Sequence, residues 1–148
     1  MSGEQARDKG RIVAGFDGSA PSLEALAWAA RQADLTGSTL EIVMTWEWPT
    51  SYGWAVPIPT DFDPEKDVQQ AVDTATAGLR AEHPGLVVDT RLVEGHPAPV
   101  LVEASKDADL LVVGSRGHGE FVGMLIGSVS AYCVTNARCP VLVYRGKG

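Results

Sequence analysis

Five glycines fall close together between Gly114 and Gly127: Gly114, Gly117, Gly119, Gly123 and Gly127. Glycine permits positive φ and lets main-chain N–H groups approach a ligand with no Cβ in the way. The run leads into Ser128, Val129 and Ser130, which read as the first turn of a helix. A helix start offers unpaired N–H donors and a partial positive charge, both suited to phosphate oxygens. Each such contact is worth about 0.3–1 kcal/mol at an exposed site, so several converging donors can hold a polyphosphate. Arg116 and His118 would add side-chain donors. The competing reading is a flexible connector that only lets the chain turn. A second turn, Gly15-Phe16-Asp17-Gly18-Ser19, follows the first apolar run of the chain. Its Asp17 is either a carboxylate for chemistry or an ordinary turn-forming acceptor.

Familiar nucleotide motifs do not fit. Gly127 is followed by Ser128 with no lysine, so the Gly-x4-Gly-Lys-Ser/Thr loop is absent. Gly117 to Gly123 misses the dinucleotide fingerprint by one residue and follows the fourth strand, whereas that fingerprint belongs after the first. No serine, histidine and acid trio is suggested by position. Of the three histidines, only His118 lies in the candidate site; His83 and His96 sit beside prolines and are expected to be solvated. Cys133 and Cys139 lack zinc spacing and cannot build a disulfide framework. They are expected to be small buried residues in a reducing cytosol.

The elements that must position these loops alternate. Arg11–Phe16 reads as a buried strand, and Ser19 or Ser22 as the cap of a helix with Pro21 in its first turn. That helix carries Leu23, Leu26, Ala27, Ala30 and Ala33 as an apolar stripe. Leu40–Trp46 is a second strand, and Asp63-Pro64 opens a second helix with Val68, Ala71, Val72, Ala75 and Leu79 on one side. Leu86–Val93, Pro97–Lys106, Asp109–Gly114, Ser128–Ala137 and Val141–Tyr144 continue as strand, helix, strand, helix and strand. Strand and helix alternating in this way call for a parallel sheet covered on both faces. Ligands in such sheets bind beyond the carboxyl ends of the strands, where strand order reverses. Between Glu47 and Asp63, Pro49, Pro57 and Pro59 accompany Trp48 and Trp54, which argues for an irregular loop. With Trp46 at its root, that loop either packs against the sheet or a partner subunit, or closes over a ligand.

A chain of 148 residues has room for one core, so one domain over 1–148 is expected. Met1–Lys9 is polar without an apolar h-region; it is expected to be disordered and not a signal peptide. Twelve basic against nineteen acidic residues leave −7, which disfavours a nucleic-acid partner. No apolar run approaches the roughly 18–20 residues of a membrane span.

With these residues in view, the sequence resembles the universal stress protein family. Gly114-x2-Gly117-x9-Gly127-Ser128 matches the family's nucleotide motif G-x2-G-x9-G-(S/T) at every fixed position. Val13–Ser19, Val93–Ala98, Asp109–Gly117 and Cys139–Val143 look like the family's first strand and turn, its entry to the third helix, its fourth strand and its last strand. The resemblance implies a three-layer, Rossmann-like α/β domain of the adenine nucleotide alpha hydrolase-like kind. Its five-stranded parallel sheet would run 3-2-1-4-5, with ATP between the ends of strands one and four. It implies that Gly15 and Asp17 lie near the adenosine and that Thr45 lines the adenine pocket. Val113 and Gly114 would flank the nucleoside. Ser115, Arg116, Gly117, His118 and Gly119, with Gly127, Ser128 and Val129, would wrap the phosphates. Mg2+, where present, would be held mainly by those phosphates. Family dimers often pair their last strands, which Val141–Tyr144 could do in a homodimer. The resemblance favours a cytoplasmic ATP-binding regulator of the stress response. A slow ATPase using Asp17, and an interaction module that takes AMP, cyclic AMP or no nucleotide, are the alternatives.

Overall fold

Residues 10–47, 63–115 and 127–146 are described in the computed structural model. Met1–Lys9, most of the Trp/Pro-rich loop and Arg116–Ile126 lie outside them. β1 (Arg11–Gly15) is a short apolar run whose three inner residues are fully covered on both sides. It is followed by α1 (Ala20–Thr36), β2 (Thr39–Trp46), α2 (Pro64–Glu82), β3 (Val88–Glu94), α3 (Pro97–Ala104), β4 (Leu110–Gly114), α4 (Ser128–Asn136) and β5 (Val141–Tyr144). All pairings are parallel and the order is β3-β2-β1-β4-β5. The expected architecture is the observed one. Strand order reverses between β1 and β4, the place where this class of sheet opens a crevice.

Helix boundaries follow local chemistry. Ser19 caps α1, its hydroxyl accepting from Ser22 N–H at 3.2 Å, with Pro21 in the first turn. Gly37 closes the helix in the left-handed region at φ 71°. Asp63 caps α2 through Lys66 N–H, and His83 ends it.

The α1 stripe differs from expectation. The buried residues are Ser22, Ala25, Leu26, Ala29, Ala30 and Ala33, while Leu23 is about half exposed. Alanines bring the helix close to the sheet, and the larger leucine points away. β3 begins at Val88, not Leu86; Leu86 is buried as an anchor before the strand. α3 and α4 end at Ala104 and Asn136, short of Lys106 and Ala137.

The sheet separates two apolar layers. On one face α1 and α2 cover Ile12, Ala14, Leu40, Ile42 and Val112. On the other, the shorter α3 and α4 cover Val13, Val43, Leu111 and Val113. Where that shorter cover stops, Glu41 pairs with Arg11 at 3.0 Å and Arg91 at 3.6 Å. The Arg11 guanidinium also donates to the carbonyls of Ala104 and Lys106, satisfying the end of α3.

Two expectations for single side chains are corrected. His83 is not solvated: its side chain is mostly buried, with Nδ1 3.0 Å from the Asp34 carboxylate. Cys133 is buried but Cys139 only partly so. Burial, with Cys139 adding a smaller effect, pushes the Cys133 thiol from 9.0 up to about 11.

Candidate functional site

Beyond the carboxyl ends of β1, β2 and β4 lies a cleft of about 280 Å³. Its floor is apolar: Val43 from β2, Val113 from β4, and Pro97 and Leu101 from α3. Five polar side chains also line the cleft: Asp17, Ser22, Thr45, Ser115 and Ser130. Flat apolar walls with a few convergent polar atoms are the usual make-up of a small-molecule site.

The β1–α1 rim is closed on itself. Asp17 Oδ1 accepts from Ser19 N–H at 2.9 Å, an Asx-turn. Ser22 Oγ accepts from Asp17 N–H at 3.3 Å and donates to the Ser19 carbonyl at 2.9 Å. Gly18 supplies φ 85°, which this turn requires and L side chains resist. Gly15 is needed for a different reason. A Cβ there would stand 2.8 Å from Leu101 Cδ1, so its missing side chain is the space into which α3 packs. The packing of the cleft wall by itself calls for glycine at this position.

The β4–α4 rim is built otherwise. Ser115 leaves β4 with its N–H donating to the Tyr144 carbonyl of β5 at 2.8 Å. Gly127 is the extended N-cap of α4, and no side chain among the described residues caps that helix. Its first internal bond, Ala131 N–H to the Gly127 carbonyl, is 2.9 Å. The earlier N–H groups of α4 are the donors that a helix start leaves without an internal partner.

Of the site residues expected from sequence, Gly15, Asp17, Thr45, Val113, Gly114, Ser115, Gly127 and Val129 line this one cleft. Ser128 is exposed and is not among the lining residues. Arg116, Gly117, His118 and Gly119 lie outside the described residues. Sequence reasoning missed Phe16, Ser22, Val43, Pro97, Leu101 and Ser130. Most of these carry no signal beyond ordinary core composition. Ser130 had one, the Ser-Val-Ser repeat at a helix start. Among the described residues no group of three or more His, Cys, Asp or Glu side chains could hold a metal ion. None of the described helices is long and apolar enough to cross a membrane.

Comparison with known proteins agrees with this architecture. A universal stress protein of Mycobacterium tuberculosis is 31% identical over 148 residues, covering 99% of this chain and 52% of that protein. One from Mycolicibacterium smegmatis is 36% identical over 135 residues, covering 90% of this chain and 45% of its own. The chain thus spans about half the length of these relatives. Among solved structures, a universal stress protein in complex with cAMP superposes with a TM-score of 0.67 at 28% identity, covering 92% of this chain and 96% of that one. The universal stress protein from Archaeoglobus fulgidus gives 0.70 at 22% identity over 98% and 100% of the two chains, a likeness of fold. The model of the universal stress protein family matches residues 9–145, nearly all of the sequence read above, and the chain belongs to that family.

Proposed function

We propose that the protein is a cytosolic, nucleotide-binding regulator of the stress response, one domain that takes ATP in the cleft between β1 and β4. The observation that carries the reading is the cleft itself. An apolar slot and a helix start that no described side chain caps line one cleft at the strand-order reversal. The donor set suits an adenine nucleotide. Val43, Leu101, Val113 and Pro97 offer flat apolar contact for a base, and Asp17 and Thr45 offer polar atoms beside it. Gly127 and Val129 bring the start of α4 to the other end, where its N–H groups suit phosphate. Arg116, Gly117, His118, Gly119 and Ser128 complete that end in this reading, and Mg2+ would be held mainly by the phosphates. The complete G-x2-G-x9-G-S spacing supports ATP.

Purified full-length protein is denatured and any released small molecule identified by mass spectrometry, with Gly117→Ala alongside. ATP released by the wild type and absent from the variant is the expected result. If added ATP also fails to bind the wild type, the glycine run is a connector and the reading is lost.

A second ligand reading has its own support, since the relative solved in complex with cAMP is 28% identical. Competition among ATP, AMP and cyclic AMP separates the two. Hydrolysis is a third possibility for the same site. Turnover that follows the protein through gel filtration and disappears in Asp17→Ala would establish it.

We also propose a homodimer through Val141–Tyr144. The two sheet edges differ in a way that supports it. β3 ends the sheet with exposed Asp89, Thr90, Arg91 and Glu94, which discourage pairing. β5 offers Val141, Leu142, Val143 and Tyr144, all half-buried and uncharged. Sedimentation of Val143→Lys should give a monomer where the wild type gives a dimer.

A further inference from the structure

The chain leaves β4 at Ser115 and returns at Gly127, and the two ends of the intervening stretch are bonded to each other. Gly127 N–H donates to the Ser115 carbonyl. The Ser130 hydroxyl is 3.3 Å from that same carbonyl and 3.1 Å from the Gly127 carbonyl, and its single hydrogen is shared between them. Ser130 is 2% exposed, Ser115 is 6% exposed, and both line the cleft with Gly127. A buried serine on the first turn of a helix ordinarily returns its proton to its own helix. This one also reaches across to the residue just past the end of β4.

We propose that Ser130 is a positioning residue that holds the opening turn of α4 against the end of β4, so that the N–H groups of that turn face the phosphate end of a bound nucleotide. The inference rests on the nucleotide reading above and assigns a role to a residue outside the glycine motif. Removing the hydroxyl leaves neither carbonyl bare, since Ser115 keeps Gly127 N–H and Gly127 keeps Ala131 N–H. What is lost is the second bond between the two ends, which fixes the first turn of α4 where Gly127 N–H alone anchors only its cap. Among the described residues, the Ser130 hydroxyl bonds to Ser115 and Gly127 and not to the base end of the cleft formed by Val43, Pro97, Leu101 and Val113. Its signature is therefore a loss of affinity that depends on the ligand carrying phosphate.

The experiment titrates adenosine, AMP and ATP into the full chain by calorimetry, for the wild type, Ser130→Ala and Ser130→Thr. In Ser130→Ala, AMP and ATP should each lose about three- to tenfold in affinity, the size of one net hydrogen bond, with adenosine unchanged within about twofold. Ser130→Thr, which keeps the hydroxyl, should restore most of that loss. Equal losses for adenosine and AMP would mean a general disturbance of the cleft and would overturn the inference, as would no loss at all. A wild type that binds none of the three removes the nucleotide reading and this inference together. Should Ser130→Ala not fold, amide exchange of the wild type still decides. AMP, and not adenosine, should slow exchange at the Ser128 and Val129 amides; equal slowing by both overturns the proposal.

Discussion

The two faces of the sheet are covered by unequal amounts of helix. α1 and α2 run for 17 and 19 residues over one face, and α3 and α4 for 8 and 9 over the other. On the long-helix face an unbroken layer extends from Phe16 through Leu26 and Ile42 to Val88. On the short-helix face the apolar layer is smaller, and it gives out in two directions. Toward the amino ends of the strands it yields to the Glu41, Arg11 and Arg91 cluster. Toward the carboxyl ends it yields to the cleft, whose floor is made of its own members Val43, Leu101 and Val113. The long-helix face supplies stability, and the short-helix face trades some of that cover for an opening.

The comparison breaks if substitutions on the two faces have the same consequences. The largest effect is expected at Leu26→Ala, a fully buried side chain between α1 and the sheet. It should cost about 2–5 kcal/mol in urea unfolding, as large-to-small changes in cores do. Nucleotide affinity of the folded fraction should not change, and a parallel loss of affinity would mean the faces are not separable.

Gly15→Ala acts on the other face. Its Cβ would meet Leu101, which lines the cleft and must shift. Overpacking of this kind costs about 1–3 kcal/mol, and here ligand affinity should fall with it. Pairing it with Leu101→Ala should restore part of the stability, which a double-mutant cycle would register.

Ser19→Ala removes the cap of α1 and should cost about 1 kcal/mol. Thr76 on α2 is smaller still and opposite in sign. Its hydroxyl is buried with no hydrogen-bond partner among the described residues, so Thr76→Val should leave stability unchanged or raise it by up to about 1 kcal/mol.

At neutral pH the smallest effect belongs to Cys133. Its folded pKa, about 11, lies above the ordinary 9.0, so the folded state keeps a proton that the unfolded chain gives up between those values. Its contribution is complete below pH 9 and is lost as pH rises toward 11. Cys133→Ala should flatten that part of the pH–stability curve, and an alkylating reagent should reach Cys139 first.

Much of this arrangement was legible because it is written in local pattern. The apolar run Asp109–Gly114 and the alternation of elements lead to the sheet, and Gly18 and Ser19 mark the first turn without reference to anything distant. What escaped notice depends on partners far along the chain. His83 looked solvated beside Pro84 because Asp34, 49 residues away, leaves no trace in its neighbourhood. Leu23 looked like core because its spacing fits a stripe, yet the alanines of α1 set a closer approach that excludes it. In sequence Leu101 and Pro97 are simply parts of the helix Pro97–Lys106, and only the fold brings them to the cleft. In sequence Ser22 and Ser130 are capping or first-turn residues, yet each bonds to the residues just past a strand end, Asp17 and Ser115.

The bonds between the start of β1 and the start of β4 bear on the order of assembly. Arg11 N–H donates to the Asp109 carboxylate at 2.7 Å, and Asp109 N–H returns a bond to the Arg11 carbonyl at 2.9 Å, across 98 positions of sequence. β1, β2 and β3 can pair through nearby segments, but β4 must close a long loop before it meets β1, and such contacts are slow to form. The cleft has no second wall until that closure is complete. A ligand held between β1 and β4 would bridge the strand pairing with the largest sequence separation in the sheet; if that pairing forms last, the ligand should lengthen the lifetime of the folded chain while leaving the rate of folding nearly untouched.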